Sequence, residues 1–119
     1  MSLLFVYGTL KKGFHNHYLL EDAPFICKAW LPFHKMLSLG GFPAIIPEGG
    51  YRDNIEGELY EVPEGRWPLL DRLEGVPHLY RREQIEIWNN PEAKWHEAQV
   101  YIWNQPTKDL PLVPDGIWR

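Results

Sequence analysis

Eleven prolines and ten glycines are spread along 119 residues, and a simple helical bundle does not survive that punctuation. Proline breaks the interior of a helix or a central strand, and glycine weakens both, so the chain must be cut into short elements joined by many turns. Between the breaks the apolar residues mostly follow a strand period. Ile55-Glu56-Gly57-Glu58-Leu59-Tyr60-Glu61-Val62 alternates apolar and polar up to Pro63, as a half-buried strand does. Tyr80 to Trp88 alternates again, with Ile85 and Ile87 on one face and Gln84 and Glu86 on the other. Leu3–Val6, Pro24–Leu31, Phe33–Leu39, the run from Ala44 to Ile46 and Trp95–Trp103 read as further strands. Two short helices are predicted. One runs over His15–Leu20, with Leu19 and Leu20 toward the core. The other runs over Arg66–Gly75, with Leu69, Leu70 and Leu73 at helical spacing, Gly75 as C-cap and Pro77 barring continuation. The segment from Asn104 to Arg119 is proline-rich. Many short strands with polar turns predict an α+β fold built on a closed or nearly closed β-barrel, with helices packed outside it.

The length fits one domain, residues 1–119, able to bury a core without disulfides or metal. A formal net charge of −4 provides no electrostatic footprint for nucleic acid or for an anionic membrane. The single cysteine, Cys27, cannot form an internal disulfide and reads as a small buried hydrophobe in a reducing compartment. The first residues lack the pattern of a signal peptide or a membrane span, so the expected location is the cytoplasm. Oligomeric state is not readable; a monomer is compatible with everything above.

Phosphate-loop, dinucleotide and nucleophile-elbow motifs are absent. Two local features carry chemistry. The first is Tyr7-Gly8-Thr9-Leu10, where an apolar strand stops on a glycine. Gly8 permits positive φ and a close backbone approach, and successive amides in such a turn can converge on an anion. A plain turn after an edge strand fits the same residues. The second is Glu74, at the end of the predicted helix. There it faces the negative end of the helix dipole, and burial beside Leu73, Val76 and Tyr80 would raise its pKa toward neutrality, as general acid/base work requires. A solvated helix-end glutamate is the alternative. Gly40-Gly41 is either a hairpin turn or a place where backbone meets a ligand. His15 and His17 stand two apart with no further ligand cluster, so a polar helix start or a pocket-edge histidine is favoured over a metal site.

Taken together, several segments resemble the γ-glutamylcyclotransferase-like family, and its γ-glutamylamine cyclotransferase (AIG2-like) branch most. These are Val6-Tyr7-Gly8-Thr9-Leu10-Lys11-Lys12-Gly13 with Asn16-His17, Gly41-Phe42-Pro43-Ala44, Gly57-Glu58-Leu59-Tyr60-Glu61-Val62, and Leu70-Asp71-Arg72-Leu73-Glu74-Gly75 with Pro77, Tyr80 and Arg82. The resemblance implies a small mixed barrel with flanking helices and cofactor-free cyclisation of a γ-glutamyl group to 5-oxoproline. It assigns the substrate-binding turn to Tyr7, Gly8, Thr9 and Leu10 and the general acid/base to Glu74. Gly41 and Tyr80 are expected beside them, Tyr80 as a wall or hydrogen-bond donor. The glutathione-directed branch has Ser-Asn where this chain has Thr9-Leu10, which favours γ-glutamyl amines as substrates. A non-catalytic small-molecule binding module of the same fold is the alternative, separated by a turnover assay. A single-strand nucleic-acid binder is opposed by the charge.

Overall fold

The computed structural model describes residues 2–119. Among the described residues there are eight strands: β1 Ser2–Val6, β2 Phe25–Pro32, β3 Lys35–Ser38, β4 Pro43–Ile46, β5 Asn54–Val62, β6 Tyr80–Asn89, β7 Lys94–Trp103 and β8 Leu112–Val113. One α-helix, α1 Trp67–Leu73, joins them, with short 3-10 turns at His17–Leu20 and Glu64–Arg66. Strands β1-β5-β2-β6-β7 close a barrel. Its neighbours are antiparallel except at the seam, where β1 meets β7 in parallel with Leu4 opposite Gln99.

The continuous apolar character of Leu3–Val6 follows from burial on both faces. Phe5 points into the barrel with Leu31, Ile55, Leu59, Ile87, Val100 and Ile102. Leu4 and Val6 point outward into a second core beneath α1, with Leu20, Tyr60, Val62, Trp67, Leu70, Tyr80 and Tyr101. Closure of a five-stranded barrel leaves little room at Gly57. A Cβ there would stand 2.5 Å from the Phe5 ring and 2.5 Å from the Val6 carbonyl oxygen. Gly57→Ala should therefore lower the unfolding free energy by ~1–3 kcal/mol through overpacking, measurable by urea denaturation.

The structure differs from the sequence reading in several places. The first predicted helix shrinks to the 3-10 turn at His17–Leu20, in which only Leu20 is buried. In α1, Trp67 and Leu70 face the core, whereas Leu69 and Leu73 are exposed. The strand expected over Phe33–Leu39 begins at Lys35, because Phe33 takes a φ of 65° and turns the chain. The proline-rich segment holds β8, which pairs with β3. Strands β4-β3-β8 form a second small sheet beside the barrel. Pro111 and Pro114 flank β8 without occupying it, so the pairing survives them. Gly75 does take positive φ, 65°, where α1 ends. Among the described residues no helix is long and apolar enough to cross a membrane.

Candidate active site

One end of the barrel opens into a cavity of about 170 Å³. Tyr7, Gly8, Thr9, Leu10, Gly41, Glu74 and Tyr80 all line it. They come from four places: the exit of β1, the β3–β4 hairpin, the end of α1 and the start of β6. The barrel topology brings them together, since β1 and β6 both border strands that α1 covers.

The turn after β1 is held by its carbonyl groups. Lys11 N–H donates to the Gly8 oxygen at 3.0 Å, and Asn16 N–H to the Thr9 oxygen at 3.1 Å. The His17 Nδ1–H donates to the Leu10 oxygen at 2.9 Å, and the Asn16 side-chain amide donates to the Thr9 hydroxyl at 2.9 Å. The backbone N–H groups of Gly8, Thr9 and Leu10, by contrast, have no acceptor among the described residues. Three neighbouring N–H donors on one pinned turn are of the kind that can receive an anion.

Gly8 is required for a different reason than local backbone freedom. Its φ lies outside the left-handed region, but a Cβ on it would stand 2.7 Å from Cγ and 2.9 Å from Cδ of Pro43. The requirement is close packing of the turn against the β3–β4 hairpin, a contact no local pattern announces. Within that hairpin Gly40 takes the positive φ, 98°. Gly41 stands in open space at the cavity edge.

Glu74 caps the C-terminal end of α1, its N–H bonded to the Leu70 oxygen at 3.0 Å. No described residue donates a hydrogen bond to its carboxylate. Burial alone pushes its pKa from 4.5 up to about 7. Three phenols surround it. Tyr7 Oη–H donates to the Tyr101 carbonyl at 2.5 Å and Tyr80 Oη–H to the Pro43 carbonyl at 2.6 Å. Tyr101 Oη–H donates to Asp71 Oδ1 at 2.8 Å. Burial first, and then neighbouring negative charge including Glu74, pushes all three phenols above their ordinary range, so they stay neutral. Tyr80 is thus a wall whose hydrogen-bond proton is already committed to Pro43. Glu74 is a cavity-lining carboxyl that burial pushes up to about 7.

Asp71, one turn before Glu74 on α1, also accepts two hydrogen bonds from Arg82, at 2.9 and 3.1 Å. The Arg82 guanidinium stacks 4.5 Å from the Trp67 ring centre. This cluster ties α1 to β6 and β7 and so fixes where Glu74 stands. Tyr101 was not singled out from sequence; it lies in the middle of an ordinary-looking strand, 94 residues from the Tyr7 it binds. His15 lines the cavity edge, while His17 is bound to the turn and packs against Tyr60 with ring centres 5.7 Å apart.

Residues 4–119 match the family described as "Gamma-glutamyl cyclotransferase, AIG2-like". The chain belongs to that family. A Vibrio cholerae protein provisionally named a gamma-glutamylcyclotransferase is 33% identical over 98% of this chain and 94% of its own length. The Danio rerio protein named gamma-glutamylaminecyclotransferase B is 35% identical, over 92% of this chain and 67% of its own. Among solved structures, an AIG2-like protein from Mus musculus superposes with a TM-score of 0.77 at 27% identity, covering 94% of this chain and 85% of that one. The gamma-glutamyl cyclotransferase, AIG2-like family accounts for the closed mixed barrel with a short covering helix.

Proposed function

We propose that this protein is a γ-glutamylamine cyclotransferase: it converts an L-γ-glutamyl amine into 5-oxo-L-proline and the free amine. The observation that carries the reading is Glu74. It is held near pKa 7 without a hydrogen-bond partner, in the same cavity as three amides that have no acceptor. A γ-glutamyl donor presents an α-carboxylate and an α-ammonium on the same carbon. The amides of Gly8, Thr9 and Leu10 receive the carboxylate, and Glu74 takes a proton from the ammonium. The freed amine attacks the γ-carbonyl, forming the ring C–N bond. Glu74 gives that proton to the leaving nitrogen, takes the second proton from the ring nitrogen as the original amide C–N bond breaks, and passes it to the departing amine, which leaves as an ammonium ion. Glu74 ends in its starting state and no water is consumed. Tethered attack supplies the proximity term, and one proton shuttle suffices. The family membership and the names of the Vibrio and zebrafish relatives support the cyclotransferase class.

The test is product analysis in isotopically labelled water. Unlabelled 5-oxoproline with one equivalent of free amine is expected. Free glutamate carrying label from the water would mean an amidohydrolase. A second expectation concerns the turn. Gly8→Val pushes side-chain atoms into Pro43 and displaces the hairpin carrying Gly41. Calorimetric affinity for 5-oxoproline should fall about tenfold or more in a folded variant, because overpacking at this contact moves the amides. Unchanged affinity would place the carboxylate elsewhere.

A further inference from the structure

At the far end of β6 from Tyr80, three tryptophans stand side by side on the outer face of the barrel. Trp30 on β2 pairs in register with Trp88 on β6, and Trp88 with Trp95 on β7. The Trp88 and Trp95 rings meet at 62° with centres 5.1 Å apart. Two indoles at that angle make a corner rather than a flat stack. Trp30 closes the third side, with Asn54 and Asn90 at the edge, around a wide concavity of about 370 Å³. The Trp88 indole N–H donates to Asn90 Oδ1 at 3.2 Å, which fixes its ring. Trp95 keeps 49% of its surface exposed. Trp30 and Trp88 are half-buried, so the three indoles make one contiguous apolar surface and not a single scattered side chain.

The charge along this face is net negative, with one glutamate couple that has no ion pair among the described residues. Two residues along the same face of each strand, Glu86 stands directly opposite Glu97. Like charges opposed across a strand pair destabilise the sheet. Glu97 accepts a hydrogen bond from the Gln84 amide, and neither glutamate has an ion-pair partner among the described residues. The nearby lysines do not offset them, because each is taken by another glutamate. Lys28 is bound to Glu56 at 3.1 Å and Lys94 to Glu92 at 2.9 Å.

From these two features we propose a second binding site, separate from the Glu74 cavity: the Trp30–Trp88–Trp95 corner binds a small alkylammonium ion. The indole faces attract the cation through their quadrupoles, Trp being the strongest of the aromatic side chains in this respect. The methyl or methylene groups of the ion displace water from the apolar walls, and Glu86 and Glu97 supply the complementary charge. An inorganic cation has no methyl or methylene groups to displace water from the walls, and an anion is repelled by the glutamate pair. The site stands independently of the reaction proposed for Glu74.

The test compares choline with its uncharged isostere 3,3-dimethyl-1-butanol, titrated into the intact protein at low salt. Indole N–H resonances of Trp30, Trp88 and Trp95 are followed by NMR, with calorimetry in parallel. Choline is expected to bind about tenfold more tightly than the isostere, in keeping with the strength of cation–π contacts, and to shift those three indole signals selectively. Trp95→Ala, at an exposed position, should abolish the shifts while leaving the circular dichroism spectrum unchanged. The double variant Glu86→Gln, Glu97→Gln should weaken choline severalfold and leave the isostere unaffected. Equal binding of the two compounds would reduce the corner to an apolar patch. Absence of choline binding, or binding that survives Trp95→Ala, would overturn the site.

Discussion

Replacing Glu74 by glutamine is expected to cut kcat by ~10²–10⁴-fold, the range lost with a general acid/base, and at the same time to stabilise the protein at alkaline pH. Glutamine keeps the size of the side chain and cannot carry the proton. The stability effect follows from linkage. The Glu74 pKa is 4.5 when solvated and about 7 in the folded protein. Between those values the folded state holds the proton more tightly than the unfolded state, so stability falls as pH rises from about 4.5 to about 7 and then levels off. At pH 8 the wild-type bears the full cost of a buried, unpaired carboxylate, about 3 kcal/mol for a shift of this size. Glu74→Gln removes the titration, so its melting temperature should exceed that of the wild-type at pH 8 and converge with it near pH 4. In the proposed reaction the same ionisation sets the pH dependence of turnover. Wild-type kcat/KM should rise about tenfold per pH unit below 7 and flatten above. A glutamine variant that turns over normally would exclude Glu74 as the proton carrier. A variant that is inactive and no more stable at pH 8 would mean that the carboxylate is not buried as described.

An opposition of activity and stability at Glu74, if measured, is what a functional group shows. A carboxylate in a cavity without a donor is a poor choice for folding alone. The neighbouring Asp71 is treated differently by the same helix: it is bound by both Arg82 and Tyr101. Two acids one turn apart on α1 therefore have distinct settings, one fixed in a network and one left free to exchange protons.

Those settings were only partly legible in the amino-acid order. The alternation in Ile55–Val62 and Tyr80–Trp88 was sufficient to place β5 and β6, because a sheet face repeats every two residues and leaves that period in the chain. Gly75 and Pro77 marked the end of α1 through their backbone requirements, which are local. The contacts that shape the cavity are not local. Nothing around Gly8 announces Pro43, and nothing around Tyr101 announces Tyr7 or Asp71, since the barrel closes those distances only after β1 and β7 meet. The strand β8 was invisible because two residues carry no period, and its prolines argued against any pairing. Asp71 and Arg82 sat within segments already quoted for their resemblance, yet their pairing depends on α1 lying across β6.

The largest effect should come from changing the substrate rather than the enzyme. An α-N-acetyl-γ-glutamyl amine is expected to be inert, with turnover indistinguishable from the uncatalysed rate, although its carboxylate still fits the Gly8–Leu10 amides. In the proposed reaction the substrate's own α-amine is the nucleophile. Acetylation removes both the lone pair that attacks and the proton that Glu74 accepts. Holding a nucleophile beside its electrophile within one molecule lowers the barrier by ~7–11 kcal/mol in well-oriented cases, and that whole term vanishes with the amine. The α-linked glutamyl amide should fail for a separate reason: its carbonyl is displaced from the position where a five-membered ring can close. The discriminating measurement is inhibition alongside turnover. The acetylated compound should compete with substrate while yielding no product, since anion binding and ring closure depend on different groups. A hydrolytic enzyme would bring its nucleophile from water and would cleave the acetylated amide at a rate comparable with the parent. Release of free amine from the acetylated compound would therefore exclude internal attack, whatever the fate of Glu74→Gln.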